Sequence, residues 1–292
     1  MEKNGKLLIV GGTGFIGSAV AKEAVKRGFQ VTIISKNTCP KSKQLKNTEY
    51  ISVDITNKNN LMLVLKGKVF SYVINLAGYI NHSSYFGGGS EVFKVHFNGT
   101  KNLVNYIEKS NLKSFIQIGS SDEYGANAAP QNESQRELPI SPYSFAKVAS
   151  THFLQMLNRT QGFPVAILRL FLVYGPEQDI ERFIPQIVTG CLNNEKFPLS
   201  HGEQLRDFCY IDDIVNGILK ALINDNINGE IINLASGIPV SIRHVAEKVK
   251  KIAGKGELEF GKVPYRIGEN MELYADTSKA KEFLEWQPLV TL

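Results

Sequence analysis

The chain has 292 residues, 43% of them hydrophobic and 21% charged with no long block of one sign, which excludes a disordered protein and bounds it to one large domain or up to two ordinary ones. The formal net charge is +5, but the basic residues are scattered and form no stripe, so no nucleic-acid partner is expected, while a mild positive excess suits a substrate carrying phosphates. Cys39, Cys191 and Cys209 form no C-x-x-C pair, the four apolar residues from Leu7 to Val10 are too few for a signal-peptide core, and no apolar run approaches the ~20 residues that span a bilayer, so the reading is a cytoplasmic protein with no metal site and no membrane partner.

Short apolar runs predict strands over 6–10, 30–34, 50–53, 72–76, 114–118 and 165–170. Amphipathic stretches predict helices over 16–28, 59–66, 89–110 and 143–162, with Gly28, and Gly162 followed by Pro164, as stop signals. Strand–helix alternation at this spacing means a parallel sheet covered on both faces, a Rossmann-type doubly wound α/β fold. Beyond about residue 172 prolines at 176, 185 and 198 make the pattern irregular. A helix over 211–223 and a strand over 230–233 predict a return to the sheet, and 242–253 and 257–260 read as one more helix and strand before a polar tail. The domain reading is residues 1–172, with 205–236 returning to them, for the large unit, and 173–204 plus 237–292 for a smaller α/β lobe.

The first strand runs into Gly11-Gly12-Thr13-Gly14-Phe15-Ile16-Gly17 and then a helix. Glycine at 11, 14 and 17 permits the tight turn, the approach of backbone N–H groups to a pyrophosphate and close helix–strand packing, and the helix N-terminus adds partial positive charge. Strand before and helix after make this a dinucleotide site. The second strand ends Ser35-Lys36-Asn37 with no carboxylate to hold a free ribose 2′-hydroxyl; Ser35 and Lys36 suit a 2′-phosphate, which favours NADP(H) over NAD(H). Asp54-Ile55 follow the third strand, where the carboxylate either reaches the adenine or caps the strand; Asn75-Leu76-Ala77-Gly78 end the fourth with small residues that leave room for the cofactor.

Tyr143 and Lys147 stand four apart on a predicted helix and share a face, so that an ammonium beside the phenol, helped by the nicotinamide's charge, lowers its pKa and lets it exchange a proton near neutrality. Gly119-Ser120-Ser121-Asp122-Glu123-Tyr124-Gly125 follows a central strand at the end where ligands bind, and a serine hydroxyl there orients a carbonyl.

The glycine turn, Asn75-Leu76-Ala77-Gly78, Ser120 before Tyr124-Gly125, Tyr143-x-x-x-Lys147 and Arg169-Leu170-Phe171-x-x-Tyr174-Gly175-Pro176 occur in the order that resembles the extended short-chain dehydrogenase/reductase family, over nearly the whole chain. The resemblance implies a nucleotide-diphosphate sugar as substrate, Tyr143 as acid/base, Lys147 tuning it and holding the nicotinamide ribose, Ser120 on the reacting oxygen, Asn98 supporting the site and Phe171 lining the cofactor cleft. It also implies a homodimer, through the helices at 89–110 and 143–162. Ser121, Asp122, Arg182, Phe183, Gln204, Arg206, Tyr210, Arg266 and Glu269 are the substrate candidates, with Arg206 and Arg266 suited to the diphosphate by their guanidinium forks.

Ser121 stands where hexose 4,6-dehydratases resemble Thr-Asp-Glu, which weakens an elimination reading. The 119–125 segment looks more like NDP-4-keto-6-deoxyhexose reductases, so the leading expectation is NADPH-dependent reduction of a C4 ketone. The alternative is an NAD-dependent 4-epimerase using the same three residues; a non-catalytic dinucleotide sensor fits poorly because both Tyr143 and Lys147 are present. At the C-terminus, residues 286–292 stand where such relatives usually continue into a further helix.

Overall fold

The computed structural model describes residues 5–265 and 269–292. The chain runs β1 (Lys6–Val10), α1 (Phe15–Lys26), β2 (Gln30–Ser35), β3 (Glu49–Ser52), α2 (Lys58–Leu65), β4 (Tyr72–Asn75), α3 (Gly89–Phe93), α4 (Gly99–Tyr106), β5 (Ser114–Ser120), α5 (Pro142–Gln161) and β6 (Val165–Leu170). It continues through β7 (Leu172–Tyr174), α6 (Phe183–Leu192), β8 (Lys196–Pro198), β9 (Leu205–Tyr210), α7 (Ile211–Leu222), β10 (Ile231–Leu234), β11 (Pro239–Ser241), α8 (Ile242–Ala253), β12 (Glu257–Glu259), β13 (Glu272–Leu273) and α9 (Ser278–Leu284).

Seven strands form one parallel sheet in the order β10-β6-β5-β4-β1-β2-β3. The alternation of side chains along β1 explains its double cover: Leu7 and Ile9 join one core with Val20, Ala21 and Ala24 of α1 and Ile214 and Ile218 of α7, while Leu8 and Val10 join the other with Leu61 of α2, Leu103 of α4 and Leu154 of α5. The chain leaves β1 toward β2 and β3, then returns to place β4 on its other side. That reversal opens a crevice at the carboxyl ends of β1 and β4, where ligands bind in such sheets.

Both stop glycines behave as read, with φ +88° at Gly28 and +64° at Gly162. The helix expected over 89–110 is broken: a π-helical turn, Lys94–Asn98, separates α3 from α4. Gly99 sits where a Cβ would come 2.5 Å from Ile55 Cδ1, and the Thr100 hydroxyl donates back to the His96 carbonyl at 2.7 Å, so close packing and a side-chain bond accompany the wider turn.

The stretch from 173 is less irregular than its prolines suggest, since it contains α6. β9 belongs to a second sheet, flanked by β11 and β13 and also pairing with β7, so the chain rejoins the large sheet only with α7 and β10. The tail read as polar contains α9, and the Trp286 beyond it is buried, its indole N–H donating to the Asp213 carbonyl at 3.1 Å.

Candidate active site

The glycine turn is built as its spacing requires. Gly11 has φ +83°, and a Cβ there would lie 2.9 Å from the Leu76 carbonyl carbon, so the turn is pressed against the end of β4. A Cβ on Gly17 would lie 2.2 Å from the Gly11 oxygen, whereas one on Gly14 would meet only that oxygen, at 3.5 Å. Gly14 is the N-cap of α1, with no side-chain cap and no acidic residue in the first turn. The helix therefore presents its N-terminal amides and its positive dipole end to the crevice, with Thr13 exposed and Phe15 and Ile16 half-buried beside them. These residues fit a dinucleotide's pyrophosphate.

The neighbouring strand ends are braced from below. Asn75 donates to Thr100 Oγ1 (3.1 Å) and Gln117 Oε1 (2.9 Å) and accepts from the Ala77 amide (3.2 Å), which holds Leu76-Ala77-Gly78 in place. At the strand ends expected to meet the adenosine, the side chains bond within the protein. Ser35 donates its hydroxyl to the Asn37 carbonyl at 2.7 Å, and Lys36 Nζ lies 3.2 Å from Asp54 Oδ2. The other oxygen of Asp54 accepts from the Thr56 amide and hydroxyl, so this carboxylate acts as the strand-end cap. Ile55 is buried against Gly99.

The three candidate catalytic residues come from β5 and α5. Ser120 ends β5, while Ser141 opens α5 with a capping box to Ser144 and Pro142 at its first position, which sets Tyr143 and Lys147 on the first turns facing the strand. Lys147 is buried and donates to the Ile118 carbonyl at 2.9 Å; its Nζ lies 5.9 Å from the centre of the Tyr143 ring. Burial pulls the ammonium's pKa down to about 8, against the pull of Glu123 and Asp122.

The expected depression of the phenol is not a property of the protein alone. Burial, then the Asp122 carboxylate, push Tyr143 upward, and the facing Ser120 hydroxyl only opposes the rise. The protein by itself therefore holds Tyr143 as a neutral phenol.

Two histidines that the sequence did not single out flank this ring. His96 meets it edge-on at 5.1 Å and His82 at 5.7 Å between centroids. His96 is inward because of the π turn, and a Cβ on Gly78 would collide with it at 2.0 Å. Burial and the Lys147 charge lower its pKa to about 3, so it is neutral and its Nε2–H donates to the Tyr79 carbonyl at 2.9 Å. Nothing local announces His96, because the extra residue of a π turn decides which side it faces. Glu123 was legible: Ser120-x-x-Glu123 is a capping-box pattern, and both its bonds form.

Among the substrate candidates, Ser121 is buried, and Asp122 stands 3.9 Å from His82 Nε2. Burial raises the Asp122 pKa, opposed by the charges of His82 and Arg206. Arg206 is ion-paired with Glu269, so two predicted contacts meet each other. Gln204 Oε1 is buried with no hydrogen-bond partner among the described residues. Arg266 lies outside the described residues.

Several other candidates make contacts within the protein. Phe171 packs with Tyr124, Ala235 and Ala275, and Phe183 packs on Phe208, 6.2 Å between ring centres. Tyr210 rests on Tyr174 (5.5 Å) and lines a groove between α1 and α7 with Phe15 and Pro176. Asn98, at the end of the π turn, is exposed. Among the described residues no helix is long and apolar enough to cross a membrane, and no group of three or more His, Cys, Asp or Glu is placed to hold a metal ion.

The chain is similar to a UDP-glucuronate 4-epimerase of Thermodesulfobacterium geofontis, 28% identical over 99% of this chain and 93% of the relative. It is 25% identical to a dTDP-glucose 4,6-dehydratase of Streptomyces niveus over 98% of this chain and 88% of the relative. In three dimensions it resembles the UDP-glucose 4-epimerase of Thermotoga maritima solved with UDP-glucose, with TM-score 0.91 and 26% identity over 98% and 94% of the two chains. It also resembles the UDP-glucuronic acid 4-epimerase of Bacillus cereus solved with UDP-glucuronic acid and NAD, with TM-score 0.87 and 29% identity over 98% and 95%. A family model spans residues 7–235, the glycine turn, the Ser120 strand end and the Tyr143 helix included, and the chain belongs to the NAD dependent epimerase/dehydratase family.

Proposed function

We propose that the protein is an NAD-dependent 4-epimerase of a nucleotide-diphosphate hexose. The observation that carries the reading is the grouping of Ser120, Tyr143 and Lys147 beside the glycine turn, in a chain whose relatives at 28–29% identity include 4-epimerases. The ketoreductase expectation leaned on Ser35 and Lys36 holding a 2′-phosphate. With Ser35 turned to Asn37 and Lys36 paired with Asp54, both side chains are engaged within the protein, and the similar structure of the Bacillus cereus 4-epimerase holds NAD, which together support NAD over NADP. Ser121 in place of a second carboxylate argues against elimination of water.

Gly11, Gly14, Gly17 and the start of α1 would hold the pyrophosphate, and Lys147 the nicotinamide ribose. Bound NAD would supply the acceptance and return of a hydride at C4 of the sugar that inversion there requires. Neutral in the free protein, Tyr143 would act as the phenolate that the added positive charge of the bound cofactor favours, taking the proton of the C4 hydroxyl and later giving it back, while Ser120 hydrogen-bonds the same oxygen as it becomes a carbonyl. Lys147, protonated below a pKa of about 8, supplies the positive charge that favours the phenolate form of Tyr143. Neutral His96 packs the back of the ring without contributing a competing charge.

The test is to incubate the purified protein, without added cofactor, with UDP-glucose, UDP-galactose or UDP-glucuronate and to follow the C4 epimers by proton NMR. Interconversion is expected, falling ~10²–10⁴-fold in Tyr143→Phe with the fold intact. No interconversion of any nucleotide hexose, together with NADPH oxidation by a 4-keto sugar, refutes the proposal in favour of a reductase.

A further inference from the structure

Glu123 is completely buried, where a carboxylate is costly unless paired and hydrogen-bonded. Both oxygens are engaged: Oε1 accepts from the Ser120 amide at 2.9 Å, and Oε2 accepts from Thr151 Oγ1 at 2.8 Å and Arg169 Nε at 3.0 Å. Arg169, on β6 and equally buried, also donates to Glu137 Oε1 at 2.6 Å and stacks 4.5 Å over the Tyr124 ring. Thr151 follows Lys147 by four residues and Tyr143 by eight, on the same face of α5. A Cβ on Gly119 would come 2.6 Å from Glu123 Oε1, so the strand is bare where the carboxylate passes.

An apolar side chain at 123 would fill this space without desolvating a charge. It would not join three elements at one point. We propose that Glu123 is a positioning residue, holding the end of β5 that carries Ser120 at a fixed distance from the helix that carries Tyr143 and Lys147. The inference rests on the function proposed above. Its effect on reactivity also has an electrostatic part, since the negative charge of Glu123 raises the pKa of both Tyr143 and Lys147.

The experiment compares Glu123→Gln, which keeps the volume and removes the charge, with Thr151→Val, which removes only the hydroxyl that ties Glu123 to α5. Each is assayed for kcat and KM in epimerisation. Each is also titrated by phenolate absorbance, with Tyr143→Phe as the blank; the other groups facing that phenol, His82, His96, Lys147, Asp122 and Arg182, are unchanged. Glu123→Gln is expected to lose ~10–100-fold in kcat with KM within about 3-fold, because the groups are misplaced by an ångström or less and substrate binding is spared. The Tyr143 phenol should titrate lower. For Thr151→Val a loss of about 3–10-fold is expected from one missing hydrogen bond. A merely structural role would lower the folded fraction and leave kcat of the folded protein where it was, in Thr151→Val, which keeps the charge, as well as in Glu123→Gln. Folded Glu123→Gln with wild-type kcat and an unshifted phenol overturns the proposal; if that variant does not fold, wild-type kcat in Thr151→Val overturns it alone. Should the wild type turn over no nucleotide sugar, the proposed function fails while the phenol titration still decides the role of Glu123.

Discussion

Two alanine substitutions in the glycine turn separate folding from cofactor binding. In Gly17→Ala the new Cβ would sit 2.2 Å from the Gly11 oxygen and 2.8 Å from the Gly12 Cα, both backbone atoms that cannot swing aside. Restoring an ordinary contact of 3.4 Å requires α1 and the turn to separate by about 1.2 Å, the difference of the two distances. Overpacking of this kind costs ~1–3 kcal/mol, equivalent to roughly 2–12 °C in Tm for a domain of this size. The displaced amides lose NAD as well. In Gly14→Ala the Cβ meets only the Gly11 oxygen, at 3.5 Å, and φ is −77°, which alanine adopts freely, so stability should stay within ~0.5 kcal/mol of wild type. The methyl group nevertheless stands where a pyrophosphate would approach the helix N-terminus, and NAD affinity should fall at least ~10-fold, or about 1.4 kcal/mol. Thermal unfolding and calorimetric NAD titration of both variants decide the matter. A Gly14→Ala protein that binds NAD as tightly as wild type would refute the assignment of this turn to the pyrophosphate. A Gly17→Ala protein of undiminished Tm would refute the packing argument.

Trp286→Ala should cost ~3–5 kcal/mol in denaturant unfolding, since it empties a buried indole site against Gly217 and Leu284 and removes the bond to the Asp213 carbonyl; a loss below about 1 kcal/mol would show that the C-terminal segment does not contribute to the main core. His96 titrates near 6.5 when unfolded but at about 3 in the fold, so between these values the unfolded chain binds the proton and the folded one does not. Its contribution is complete above pH 6.5 and is lost as pH falls toward 3. His96→Asn should flatten the acid side of the stability–pH curve, and identical curves for the two proteins would contradict the buried neutral imidazole.

Much of the frame is legible in the chain because it rests on short-range patterns. The apolar runs of β1, β2 and β6 and the glycine stops of α1 and α5 appear where they were read. The spacing of Tyr143 and Lys147 places both on one face of a helix whose start is marked by Ser141 and Pro142. The tail from 272 was misread because α9 is only seven residues long, and its apolar face has meaning only against α7 and β10. Likewise α6 was hidden by the prolines around and within it.

What the chain determined by itself is the parallel sheet, the tight glycine turn and the shared helix face of Tyr143 and Lys147, since each depends on neighbours within a few positions. Tertiary structure alone decided that Lys36 faces Asp54, that His96 turns in beneath Gly78, that burial raises rather than lowers the free Tyr143 phenol, and that Glu123 reaches both Arg169 and Thr151. Each of these is a meeting of side chains from separate strands and helices, or the loss of water around one of them. Neither the distance between two elements nor the dielectric around a residue is written in the order of residues along either one.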